Sequence, residues 1–483
     1  MVITALAVCL VATPLVALSD DDINDLQTKI KSVEVRERRE AARTLSQIGD
    51  NAAPALSALI KALDDKDEQV IAHALAAITQ LGPNAQAAVP RLIDNLKNKN
   101  AQVRFRSAYA LGQVGPEAVG PLIEALNSES PHQRAGAATA LAWIGPDALA
   151  AIDGLVQVLG DPDSRVRDKA TRALGHMGPE CVSPVLVALS TGDADVRCSA
   201  LQVFAKLGQD AKGEVLTIRR FVTDDAPAVR IRAAQALAHM GIPRSELLQI
   251  LVELLQDEHD DVHHAAGELF MLVRPREATV PHLTRLIEGE DVATVLRAAH
   301  LLSRFDGVAK SAVPALVKAT ARLGEQDAQA VLPKALGVIG ESAVEDIIAG
   351  LAASQYPETT LRRYVDALIL IGPDAISSLA NALSHTSPQV RSGAVLTLGT
   401  SGKSAGHLVP KIITLLDDDD AFVRASAAEA LGKLGPAARA AAPILAGKLN
   451  DKVSRVRAAA VGGLGKTAGD DVTYAALFAT ALN

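Results

Sequence analysis

The sequence predicts an all-α fold: a right-handed α-solenoid, or superhelix, of about fourteen stacked helix-turn-helix units. Three observations carry that expectation. One motif recurs along nearly the whole chain, its spacing suits a pair of short helices, and its apolar residues are too small and too evenly spread to form one compact core.

The motif reads Val-Arg, two to four small residues, Ala-Leu-Gly or a variant, a Gly-Pro turn, and a second apolar segment. Its clearest copies run from Val103-Arg104 to Gly112, Val166-Arg167 to Gly175, Val229-Arg230 to Leu237, Val390-Arg391 to Gly399, Val423-Arg424 to Gly432 and Val456-Arg457 to Gly465. The apolar residue before the glycine marks each unit: Leu45, Ile78, Leu111, Leu141, Leu174, Phe204, Leu237, Phe270, Leu302, Leu336, Leu368, Leu398, Leu431 and Leu464. These fourteen markers are spaced by 30 to 34 residues, and the units are numbered 1 to 14 in that order.

Within one unit, Val423, Ala427, Ala430, Leu431 and Leu434 recur at helical spacing on one face. Gly435-Pro436 then breaks the helix, and Pro443, Leu445 and Leu449 mark a second one. Glycine permits a left-handed cap and the proline beside it stops the first helix from running on. Two short helices of Ala, Leu and Val cannot bury their apolar face alone, so neighbouring pairs must stack.

Composition agrees. Hydrophobic residues make up 49% of the 483-residue chain but aromatics only 2%, so the core is thin, aliphatic and repetitive. A net charge of −8 gives no general attraction for phosphate backbones, which argues against nucleic acid as a partner. The most basic stretch, Val33 to Arg43, interleaves arginines with glutamates and reads as a solvated helix face with Glu34 and Arg38 as an intrahelical pair.

The Asp-x-x-Val-Arg, Ala-Ala, Ala-Leu-Gly and Ile-Gly-Pro elements resemble HEAT-like repeats of the short type also found in phycobilisome chromophore lyases. The resemblance implies a superhelix whose second helices line the concave face, here carrying Arg91, Asp94, Glu124, Arg219, Arg220, Glu253, Arg285, Glu288, Lys318 and Lys411. That family contains scaffolds, adaptors and a few enzymes, so it implies little about activity. The expected function is a non-catalytic scaffold that holds a protein partner along its groove, without cofactor. A bilin-lyase-like or metal-dependent enzyme is the alternative.

The arginine at Arg104, Arg134, Arg167, Arg197, Arg230, Arg391, Arg424 and Arg457 follows loop carboxylates such as Asp163, Asp195, Asp225 and Asp420. An arginine in one slot of every unit reads as a structural ladder, bridging to an Asp of its own or the adjacent loop. From Val262 to Leu368 the slot decays to Val262-His263, Thr294-Val295, Ala328-Gln329 and Thr360-Leu361. These irregular repeats, around 262–372, are the candidate place to accommodate a specific partner; separately, His259, His263, His264, Arg219, Arg220 and Arg285 are candidate partner contacts.

Chemistry-bearing motifs are few. Asp257, His259, Asp260, Asp261 and His263 have spacing compatible with a divalent metal, but a helix amino terminus gathers Asp for capping alone, so no metal site is expected. Di-iron hydroxylases built on HEAT-like arrays use His-Glu pairs, and no His here precedes Glu. Ala460 to Thr467 mimics a phosphate-binding loop, as does Gly402-Lys403-Ser404 more weakly, yet such a loop must follow a strand. Ala460 to Thr467 instead occupies a first-helix slot. His176 and His239 hold equivalent slots and read as tolerated helix positions, and Trp143 as core or groove lining.

The stretch from Val2 to Ser19 is uncharged and apolar ahead of Asp20, Asp21 and Asp22. It reads as a signal peptide over residues 1–19, with the solenoid over 20–483 and an exported, periplasmic or secreted protein as the product. An uncleaved membrane anchor is the alternative, and no stable membrane insertion is expected after cleavage. Cys9 would leave with the signal, so Cys181 and Cys198 are expected as free, mostly buried thiols. Val472 to Leu482 is apolar enough to suggest end-to-end self-association.

Overall fold

The computed structural model describes residues 19–323, 330–353 and 358–468. Most of the expected signal segment, Cys9, Ala328-Gln329 and Val472 to Leu482 lie outside the described residues. The described chain is helical throughout, without a strand, and its contacts divide into two compact units, Met1–Pro243 and Arg244–Asn483. Unit one holds repeats 1 to 6 and the first helix of repeat 7, and unit two holds the rest.

Ahead of repeat 1, Asp20–Lys29 is a helix whose N-cap Ser19 accepts from the Asp22 amide while the Asp22 carboxylate accepts from Ser19, a reciprocal capping box. First helices then recur at every marker, from Val35–Leu45 through Ala101–Val114, Pro131–Ile144, Ser164–Met177 and Glu358–Ile371 to Ser454–Ala468. In repeat 13 the expected apolar face is buried, with Val423, Ala427, Ala430 and Leu431 fully enclosed and Leu434 nearly so. Each fully buried Leu or Val contributes about 1.5–3 kcal/mol against exposure.

The turn differs from the expected left-handed cap. Gly115 has φ 81° and ψ −143°, and Gly145 has φ 67° and ψ −131°. Positive φ with strongly negative ψ is a region essentially closed to residues with a Cβ. From it the chain enters a 3₁₀ turn with proline second, as in Gly115–Ala118, which leads into the second helix Val119–Ala125.

The glycine of Ala-Leu-Gly has a different task, which decides how first helices stack. A Cβ on Gly432 would fall 2.8 Å from Gly463 Cα, and one on Gly463, which fills the alanine slot of the next unit, would fall 2.5 Å from the Ala428 carbonyl oxygen. Similar close approaches occur at Gly112 against Trp143, Gly175 against Lys206 and Gly399 against Ala430. Small residues here let backbones approach, so most consecutive first helices pack extensively while second helices touch their counterparts sparingly. Within each unit, the row of first helices is the more closely packed side of the stack.

Two stretches, Pro131–Gly160 and Glu358–Ala382, are apolar and long enough to cross a membrane by length and composition. Each is a first helix, a 3₁₀ turn and a second helix, interrupted by Gly-Pro, so neither is one spanning element.

Candidate functional site

The ladder arginines are built into inter-repeat clamps of one design. Arg134 Nε and Nη2 donate to the two carboxylate oxygens of Asp161 at 2.6 and 2.9 Å. Arg391 engages Asp418 in the same way, and Arg424 engages Asp451. Arg197 reaches Asp224 at 2.9 Å. The partner lies 27 residues on in every case, in the loop entering the next repeat.

The remaining Nη1 turns back onto its own loop. In Arg134 it donates to the Ser128 and Glu129 carbonyls at 2.7 and 3.1 Å. Asp161 in turn accepts the Asp163 amide at 2.8 Å, so each clamp ties one loop, the next loop and a helix start together. Arg104, Arg230 and Arg457 also bind their own loop carbonyls. Arg167 does so while standing 3.8 Å from Asp195, outside hydrogen-bond reach. A 30-residue repeat explains Arg104: the position 27 residues on is Pro131, inside the next helix.

Sequence reasoning missed one member of this set. Arg38, expected to pair with Glu34, instead grips Asp65 at 2.6 and 3.0 Å and the Ser32 and Val33 carbonyls. A bidentate, half-buried carboxylate outcompetes an exposed glutamate one turn away. Its signal was legible, since Arg38 and Asp65 share the 27-residue spacing.

Two of the irregular repeats, those of Arg297 and Arg363, keep arginine but move it two positions along the first helix and reverse its reach. Arg297 donates back to the Leu255 and Asp257 carbonyls at 3.1 and 3.2 Å. Buried Arg363 donates to the Leu323 carbonyl at 2.7 Å. Arg322 covers the Ile287, Glu288 and Gly289 carbonyls at the end of the helix Val280–Ile287. In those two repeats, decay of the Val-Arg slot is an exchange of a forward carboxylate clamp for a backward carbonyl clamp.

The six candidate contacts are divided between the two units. Arg219 and Arg220 lie in unit one, the other four in unit two. Arg220, Arg285, His259 and His264 are exposed and Arg219 is half-buried. The His259 amide donates to Asp257 at 2.9 Å, His259 Nδ1 lies 3.2 Å from the same oxygen, and His263 Nε2 is 3.6 Å from Asp260. His263 Nδ1 is buried without a hydrogen-bond partner. Among the described residues, no group of three or more His, Cys, Asp or Glu converges on one point.

Ala460 to Thr467 lies inside the helix Ser454–Ala468, where Gly463 serves close packing and the Thr467 hydroxyl donates to the Gly463 carbonyl. Cys181 and Cys198 are free thiols. Cys181 is enclosed and burial pushes its thiol up to about 11; burial also raises Cys198. His176 Nδ1 donates to the Ala142 carbonyl at 3.0 Å, binding repeat 5 to repeat 4.

Two concavities stand out, both on first helices rather than on the second helices expected to line a groove. In unit one a cavity of about 780 Å³ spans repeats 3, 4 and 5, with Phe105, Trp143, His132, Arg165, Lys169 and Arg172 in its wall. Phe105, Tyr109 and Trp143 are exposed by 58%, 42% and 37%. Their rings meet edge to face, with Trp143 5.5 Å from Phe105 and 5.1 Å from Tyr109. Trp143 gains its place because Gly112 has no Cβ to strike it.

In unit two a cavity of about 590 Å³ lies along repeats 11 to 14. Arg455 forms a bidentate ion pair with Glu358 and lies 4.4 Å over the Phe422 ring. Four first helices set side by side in a flat row would span about 24–30 Å, beyond the reach of an Arg and a Glu together. Glu358 and Arg455 sit in the first turns of the outer two, so the row curls with its first helices inside. Burial raises the Asp366 carboxyl in the wall, opposed by Arg362 and Lys433.

The HEAT repeat family matches residues 56–122, 89–175, 121–205, 152–220, 182–271, 376–465 and 409–482, more than half of the chain. This chain belongs to the HEAT repeat family. The phycobilisome-lyase HEAT-like repeat matches at residues 37–65, a single unit. No curated protein matches this HEAT repeat chain. Among solved structures it is similar to a mutant of Kap121p, at 16% identity and a TM-score of 0.34 over 96% of this chain and 64% of that one. It is also similar to Kap121p bound to Nup53p, at 13% identity and 0.32 over 96% and 68%. An engineered protein is similar at 22% identity and 0.24 over 86% and 98%. The chain spans less than two thirds of the length of the first of these.

Proposed function

We propose that this HEAT repeat protein is a non-catalytic scaffold that holds a protein partner against the inner, first-helix face of repeats 3 to 5. The observation that carries the reading is the exposed cluster of Phe105, Tyr109 and Trp143 in a chain with 2% aromatics. Aromatic side chains dominate the energetics of protein interfaces, and water-facing ones grouped in a concavity mark a contact surface. The ladder arginines fit a scaffold because they bind carbonyls and carboxylates of the chain itself. We also propose export, on the strength of the uncharged apolar stretch from Val2 to Ser19.

The test is photo-crosslinking in the native cell, with a photoreactive residue at position 143 or, as control, at Val187, an exposed second-helix position. A defined protein adduct at 143 but not at 187 is expected. Adducts at 187 alone, or a purified chain that carries a pigment or metal and turns over a substrate, would refute the reading. Export is checked by the amino terminus of the mature chain, expected near Asp20.

A further inference from the structure

We propose that the groove over repeats 3 to 5 takes a short acidic segment of a partner protein carrying one large apolar side chain; this rests on the scaffold reading above. The chain as a whole is acidic, at −8, yet this groove carries the opposite sign. Four cations, Arg104, Arg165, Lys169 and Arg172, face it or its rim. Against them stand two carboxylates, Asp163, bound to Arg165 at 2.7 Å, and Asp168, 3.9 Å from both Lys169 and Arg172. Among the described residues no carboxylate lies within ion-pair distance of Arg104, whose Nη1 is spent on the Asn98 and Lys99 carbonyls.

His132 in the same wall reports the excess. It is held below the usual histidine range by burial first, and then by Arg104 and Arg165, with Asp163 opposing weakly. A neutral imidazole adds a hydrogen-bond partner without adding charge. Positive walls focus the field on an approaching carboxylate, while the low wall of small residues between the helices, Ala108, Ala135 and Ala142, leaves room beside the rings.

Size and ring geometry narrow the occupant. A cavity of about 780 Å³ is of small-ligand size and suits a few residues of chain rather than a domain face. Basic walls with aromatics also serve single-stranded nucleic acid, which needs ring faces on which bases stack. Here both contacts to Trp143 are near 86°, so neither Phe105 nor Tyr109 forms a parallel pair with Trp143 to sandwich a base. An apolar side chain against the rings, flanked by carboxylates near Lys169 and Arg172, matches the surface.

Trp143 is the sole tryptophan, so its emission in the full chain reads this site alone. The probes are a short Glu-rich peptide with one central Phe and no Trp or Tyr, its Gln and Lys counterparts, and a single-stranded oligothymidine. The acidic peptide is expected to give a saturable emission change, with at least about tenfold tighter binding than the Gln peptide. Its affinity should fall on moving from about 0.1 to 1 M salt, where the Debye length shrinks from about 10 to 3 Å. Lys169→Glu with Arg172→Glu, both at the solvent edge, should abolish the preference while far-UV circular dichroism stays unchanged. Equal binding of the Gln peptide, tighter binding of the Lys peptide or of oligothymidine, or no emission change with any probe would overturn the acidic assignment. If adducts still form at position 143 in the cell, the scaffold reading survives that failure; without adducts, both fall.

Discussion

Arg134 and Asp161 offer the sharpest test of the clamp. The pair is well shielded, with side-chain exposures of 13% and 5%, so solvent screening does not erase its contribution as it does at an open surface. Asp161→Ala removes two charged hydrogen bonds and the acceptor of the Asp163 amide, leaving a guanidinium without its counter-charge. Breaking a buried pair from one side costs about 3–5 kcal/mol. The double variant with Arg134→Ala should restore part of that loss, giving a coupling energy of about 2 kcal/mol or more. Arg104→Ala is the internal comparison: it loses only carbonyl contacts and should cost about 1–2 kcal/mol. In a repeat array each unit is stabilised chiefly by its neighbours, so hydrogen exchange should accelerate across repeats 4 and 5 before elsewhere, alongside a lower urea midpoint. A coupling below about 0.5 kcal/mol, or an Arg104→Ala loss as large as that of Arg134→Ala, would refute the clamp as a source of stability.

Adjacent glycines in the last described helix should respond in opposite directions. Gly463→Ala forces a Cβ onto the Ala428 carbonyl and should destabilise by about 1–3 kcal/mol. Gly462→Ala meets nothing within 4 Å and should stabilise by about 0.5–1 kcal/mol through helix propensity; urea unfolding of both variants checks the sign. Acid should unfold the protein mainly between about pH 4 and 2. The Arg39 and Arg165 guanidiniums hold Asp67 and Asp163 down at about 2, and Asp451 is lowered by Arg424. In Asp418, burial pushes up but is outweighed by Arg391 and a backbone amide. Folded values below the unfolded ones give stability that is complete above about pH 4 and lost as pH falls through them. His73, His132 and His282, lowered chiefly by burial, add only a shallow decline below about pH 6.5. Helix content followed against pH tests this, and a main transition above pH 5 would contradict it. Finally, iodoacetamide should modify half-buried Cys198 before enclosed Cys181, read by peptide mass mapping of the native protein; the reverse order would contradict the burial.

Much of this was legible in the sequence, and the limits have physical causes. The fourteen markers placed fourteen first helices because a small-residue stripe at helical spacing has few other ways to be buried. The direction of the clamps was partly legible, since Arg and Asp recur 27 residues apart, but no pattern showed that Arg297 and Arg363 turn backwards. The site was less legible. Phe105, Tyr109 and Trp143 lie in two different repeats and meet only once the first helices stack. The His259 region drew attention because polar residues cluster there in sequence, yet a helix start collects such residues for capping alone.

The two uses of glycine join fold and site. At the turn, glycine is chosen for a backbone conformation, and at Gly115 and Gly340 nothing stands within 4 Å of where a Cβ would be. In Ala-Leu-Gly it is chosen for what stands opposite, and the choice propagates. Removing a Cβ at Gly112 draws the Pro131–Ile144 helix toward the Ala101–Val114 helix and seats Trp143 across the seam. The indole cannot sink into a core whose depth is set by Ala and Leu, so it stays half in water beside Phe105 and Tyr109. Gly112→Ala should therefore act at a distance from its own volume: the new methyl lifts Trp143, shifts its emission and weakens groove binding, while the clamps and most of the stack persist. If Gly112→Ala left Trp143 emission and crosslinking at position 143 unchanged, the link between the repeat glycine and the exposed aromatic face would be wrong.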